Sequence, residues 1–92
     1  MPHYHFHMLN GRPFWDLDGE DLADEAAARR MTLTIMGEGL RDGEIDIWGA
    51  SPFHILCTDT AGAVVTRLIA KEMSAKAVSH MRAKMNVEAV QD

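Results

Sequence analysis

The chain has one cysteine, three prolines among 92 residues and fewer basic than acidic side chains, nine Lys/Arg against fourteen Asp/Glu. Each shortage excludes something. With Cys57 alone, no internal disulfide can close and a zinc site built from several cysteines is ruled out. Its place in the apolar run Phe53-His54-Ile55-Leu56-Cys57 predicts a buried, inert thiol rather than a nucleophile. The formal net charge of −5 argues against nucleic acid as a partner, because phosphate binding needs a concentrated basic surface. No apolar run approaches the roughly 20 residues required to span a bilayer, so no membrane partner is expected. The opening residues carry neither the basic nor the apolar region of a signal peptide, which makes the cytoplasm the expected compartment. A phosphate-cradling Gly-rich loop and a nucleophile elbow are also missing. Ser51 and Cys57 have no local signature of a base and an orienting group, so no catalytic residue is assigned and enzyme activity is not expected.

What is present is the make-up of one soluble domain, with 47% apolar and 25% charged residues. Residues 1–92 are read as a single domain, because a chain of this length has room for one core. The charge is uneven: residues 1–46 hold ten acids against four Lys/Arg, whereas residues 47–92 hold four against five.

The opening His3-Tyr4-His5-Phe6-His7-Met8 alternates with the period of a half-buried strand, apolar on one face and imidazole on the other. Asn10-Gly11-Arg12-Pro13 is turn chemistry, predicting a hairpin that returns through Phe14-Trp15-Asp16-Leu17 and stops at Asp18-Gly19. Asp24 is a credible N-cap for a helix over about 24–38, with Glu25 four residues before Arg29 and Gly39 as a left-handed stop. At 100° per residue that helix carries two apolar stripes: Ala27, Ala28, Met31 and Ile35 on one side, and Leu33, Met36 and Leu40 nearly opposite. Glu44 to Ile47 alternates as a short strand. A second hairpin follows, Phe53 to Thr58 and Ala63 to Ile69 about an Asp59-Thr60-Ala61-Gly62 turn. From Lys71 onward the pattern is an amphipathic helix with Glu72 paired to Lys76, Met73, Ala77, Val78, Met81 and Met85 in one apolar stripe, and Lys76, His80 and Lys84 along its edge. The expected architecture is α+β: an antiparallel sheet of two hairpins, one helix packed across a face and an amphipathic C-terminal helix.

Several features in this order resemble a family of small alphaproteobacterial domains of unknown function. They are Met1-Pro2, the aromatic strand ending Phe6-His7, the Asp16-x-Asp18-Gly19-x-x-Leu22 turn, Asp24 before an Ala-rich helix, the Phe53-x-Ile55 strand and Asp59-x-x-Gly62. The resemblance covers about residues 1–68 and implies the hairpin, helix, hairpin layout; it implies no activity. It leaves a family-like core over 1–69 and a C-terminal helix extension over 70–92. His3 and His5, where the family usually carries a basic and an aromatic residue, and that extension are features of this chain.

Two constellations bear on function. Alternate strand residues lie about 6.6 Å apart, so neighbouring histidines can share a metal but His3 and His7 cannot. A site for a divalent transition metal such as zinc would need His5, His7 and, from the second hairpin, His54; the competing reading is a polar face turned to water. Asp16-x-Asp18-Gly19 begins like a calcium loop, but the twelfth position is Ala27 where a glutamate is required, which leaves a turn. The methionine stripe suits either core or an adaptable contact surface. Together these rank a small interaction or structural module first, self-associating as a homo-oligomer or holding a protein or peptide partner, with no cofactor. A metal-binding or pH-responsive protein using His3, His5, His7 and His54 is the alternative.

Overall fold

The computed structural model describes residues 1–49, 51–73 and 84. Its elements are β1 (His3–Leu9), β2 (Pro13–Phe14), β3 (Glu20–Asp21), α1 (Glu25–Arg41), β4 (Phe53–Asp59) and β5 (Val64–Ala70). The sheet is antiparallel, in the order β2-β1-β4-β5, with β3 pairing β1 beside β2. The expected α+β class is therefore what forms. Lys71 to Met73, where the predicted C-terminal helix would begin, are not helical, and Met73 is exposed; Ala77, Val78, Met81 and Met85 lie outside the described residues.

The alternation of β1 decides the layers. Tyr4 and Phe6 point to one face and are buried with Cys57 and Ala28, while Phe53 and Ile55 of β4 are buried beside Met36. Burying side chains of this size contributes about 1.5–3 kcal/mol each. α1 covers this face, as expected. It starts where Asp24 accepts a hydrogen bond from the Ala27 N–H at 2.8 Å, and Glu25 in the first turn complements the helix dipole.

The helix differs from its predicted form in two ways. Its buried residues are Ala28, Thr32, Met36 and Gly39, so Met36 joins the sheet-facing side while Leu33 and Leu40 face solvent. The reason is spacing: positions 28, 32 and 36 lie along one i, i+4 line, and Thr32 can occupy its centre because its hydroxyl donates to the Ala28 carbonyl at 2.8 Å. The helix also runs to Arg41, and Gly43, at φ +75°, supplies the left-handed turn. Gly39 is instead a point of close approach, where any Cβ would collide with the Ile45 side chain. The stretch from Glu44 to Ile47 forms no strand; the Glu44 and Ile45 N–H groups donate to the Gly39 carbonyl, and Ile45 packs against the Met36 cluster.

The second hairpin forms as expected, with Asp59 accepting from Ala61 and Ala63 N–H groups and Gly62 at φ +83°. A register shift between Cys57 and Thr58 leaves Val65 as the extra residue of β5, packed in the core near Cys57. The first hairpin is shorter than predicted. Only Pro13 and Phe14 pair with β1; the chain then leaves the ladder at Trp15 and rejoins it at Glu20.

Candidate functional site

The face of the sheet opposite α1 carries His3, His5, His7 and Leu9 from β1. Register places Thr58 beside His5, Leu56 beside His7 and His54 beside Leu9, so His54 rises from the same face as the three strand histidines. Arg67 and Ile69 of β5 lie opposite Leu56 and His54 and complete this surface.

The loop from Trp15 to Gly19 folds over one end of it, and Asp16 is the pin. Its carboxylate accepts from the Phe6 N–H at 3.0 Å and from the Gly19 N–H at 3.1 Å, standing in for a missing strand partner. Burial pushes this carboxyl up, but hydrogen bonds from the Phe6, Gly19 and Asp18 N–H groups outweigh it and hold Asp16 below the usual carboxylate range.

The histidines fasten the same loop from beneath. The His5 Nδ1–H donates to the Asp16 carbonyl at 2.9 Å. The Asp16 N–H donates to His7 Nδ1 at 3.1 Å, which requires the His7 proton to sit on Nε2, where it faces the Thr58 hydroxyl at 3.2 Å. His3 donates from Nε2 to the Asp18 carbonyl at 2.7 Å and from Nδ1 to the Asp21 carboxylate at 2.5 Å. Two donated bonds require the imidazolium. The Asp21 carboxylate and then the Asp18 carbonyl accordingly raise the His3 pKa above its ordinary value, and Asp21 is lowered by the same contact.

The rings form a row. His3 meets His5 edge-on at 5.2 Å between centroids, His5 stacks on His7 at 5.9 Å, and Trp15 closes the row edge-on to His7 at 5.1 Å. Gly19 is the one residue that fits beneath the turn. It sits at φ +69°, and a Cβ there would lie 2.6 Å from the Tyr4 carbonyl oxygen and 2.9 Å from His5 Nδ1.

The sequence-predicted site residues lie in and around these contacts. His5, His7 and His54 share a face, yet among the described residues no group of three or more His, Cys, Asp or Glu side chains is placed to hold a metal ion. The His7 Nδ1 lone pair is taken by the Asp16 N–H, and the His5 Nδ1–H by the Asp16 carbonyl. Cys57 is buried, as expected, and burial pushes its thiol up, away from thiolate chemistry. The role of Asp16 escaped sequence reasoning. Its signal was there: an aspartate three residues before a glycine forms a turn by accepting the glycine N–H.

Beyond the pinned loop, His7, Leu9, Trp15, His54, Leu56 and Arg67 surround a half-open cleft of about 350 Å³. Trp15 and Leu9 remain exposed at its rim.

Fold and site together define a small sheet-and-helix domain whose face opposite α1 carries a histidine-clamped loop. Residues 3–71 match a family model described as a domain of unknown function, DUF6894, and the chain belongs to that family. No curated protein and no solved structure matches. The match ends just beyond β5, so the predicted C-terminal helix falls outside it. No described helix is long and apolar enough to cross a membrane.

Proposed function

We propose that this domain is a non-catalytic interaction module that self-associates through the free edge of β5. The observation that carries the reading is the asymmetry of the two sheet edges. On the β1 side the edge is blunted by two strands of two residues each, by Pro13 and by the Asp16 carboxylate bound to the Phe6 N–H. On the other side β5 presents seven residues, Val-Val-Thr-Arg-Leu-Ile-Ala, with one charge and no proline, and pairs only with β4 among the described residues. Edges of this kind are templates for pairing with another strand, and folds that stay monomeric guard them with lysine, proline or short strands. A second copy supplies the same edge in antiparallel orientation, which closes a two-fold dimer. The methionine stripe predicted to begin at Met73 follows β5 within three residues and would enlarge the same contact. A buried, unpaired cysteine suits the reducing cytoplasm as its setting.

The test is light scattering of the purified chain across micromolar concentrations. The wild type is expected to be a dimer or larger, and Val64→Lys with Ile69→Lys, both at exposed positions, to give a monomer of unchanged circular dichroism. A wild type that is monomeric throughout would refute self-association. A dimer indifferent to both lysines but broken by Met81→Glu with Met85→Glu would move the interface from the edge to the methionine stripe.

A second reading, pH response, is supported by the His3–Asp21 pair, because a charge that a change of pH removes ties β3 to β1.

A further inference from the structure

We propose that the cleft between the Trp15 loop and β4–β5 binds a small monocarboxylate with an apolar body, its carboxylate on Arg67 and its body against Trp15, Leu9 and Leu56. The proposal concerns a different surface from the β5 edge and does not depend on self-association.

The cleft volume of about 350 Å³ falls at the lower end of the roughly 300–1,000 Å³ typical of small-molecule sites. Its walls are mostly apolar, as such sites require, and their polar side chains are few, His7, His54 and Arg67. Arg67 is the cation. His54 stands diagonally across the β4–β5 ladder from it, on the same face. His7 contributes its ring as a wall, because both its nitrogens are already bonded to the Asp16 loop and Thr58.

In a chain with fourteen acids and nine Lys/Arg, no carboxylate among the described residues lines this cleft. Arg67 makes no ion pair within 4.0 Å among the described residues, where the pairs are His3–Asp21 and Arg41–Asp42. The second described cleft, between Leu40 and Trp48, is lined by Asp46 and lacks a cation. Charge complementarity therefore selects an anion for the Arg67 cleft, and a guanidinium fork suits a carboxylate held by two parallel hydrogen bonds. Trp15 sits edge-on to His7, which leaves an indole face for an apolar or aromatic body.

Trp15 also reports on the site. In a Trp48→Phe background, which leaves Trp15 as the sole indole, 4-phenylbutyrate is titrated and tryptophan emission is followed, with 4-phenylbutylamine and 4-phenylbutanol as charge controls. The expected result is saturable binding of the carboxylate, with affinity at least about tenfold weaker for the amine and the alcohol and for the carboxylate on Arg67→Gln. Arg67 is exposed, so its loss leaves the fold intact; thermal melting of the variant checks this. Equal response to acid and amine, an unchanged affinity on Arg67→Gln, or no saturation at low millimolar ligand would each overturn the proposal. Nitrogen-edited NMR shifts confined to the Trp15 indole and to the cleft residues of β1, β4 and β5 would support the location, and shifts spread around Leu40 to Trp48 would refute it.

Discussion

Replacing Asp16 by alanine removes an acceptor that two backbone donors depend on. Phe6 is 5% exposed and lies mid-strand, where the N–H it aims at Asp16 has no alternative strand partner. Hydrogen bonds to a charged acceptor contribute about 1.5–3 kcal/mol each, and an orphaned buried donor costs about 1–3 kcal/mol. Asp16 accepts two such bonds, from Phe6 and Gly19, but it is only half-buried, so solvent screening places the loss near the low end, at about 2–3 kcal/mol. For a domain of this size that lowers the melting temperature by about 8–24 °C.

The pH dependence follows from the same bonds. A carboxyl held below its ordinary value of 3.8 contributes stability that is fully present above that value and is lost as pH falls through the lower, folded-state value. Urea unfolding followed by circular dichroism at neutral pH and at about pH 3 measures both effects. Asp16→Ala should be less stable at neutral pH, and its deficit should shrink in acid. A loss below about 0.5 kcal/mol, the size of an ordinary surface substitution, would show that Asp16 does not complete the β1 edge.

Gly19→Ala is expected to destabilise by about 1–3 kcal/mol from its positive φ alone, and further from collision with the Tyr4 carbonyl; a melting temperature equal to wild type would refute the tight-turn geometry. The His3–Asp21 pair contributes stability between the ordinary aspartate value of 3.8 and the ordinary histidine value of 6.5. Because the folded His3 value is raised, that contribution is lost as pH rises through it; because the folded Asp21 value is lowered, it is also lost as pH falls through that one. The difference in stability between wild type and Asp21→Asn should therefore be largest inside this window and decline on both sides, and a flat difference would refute the pairing.

Much of the fold follows from patterns that act over a few residues. Strict alternation in His3 to Met8 committed Tyr4 and Phe6 to one face and the histidines to the other, because side chains on a strand have a period of two. Asp24 started the helix, Asp59 and Gly62 made the second turn, and β-branched Val64 and Val65 opened the last strand, each for a reason confined to its own neighbourhood. Local patterning could not say which apolar residues of α1 would be buried. That depended on which face of the helix turns to the sheet, which brings Thr32 and Met36 under cover and leaves Leu33 in water.

The site divides in the same way. The sequence alone marked a row of imidazoles and an Asp-x-Asp-Gly turn, and the β4 histidine emerged on the predicted face because pairing preserves alternation. What those imidazoles do was decided only in three dimensions. Residues fifteen and eleven positions apart along the chain, His3 with Asp18 and His5 with Asp16, meet because the chain leaves the ladder after Phe14 and returns at Glu20. A hydrogen bond uses up the lone pair or proton that chemistry would need, and no spacing rule reveals which of a histidine's two nitrogens is already occupied.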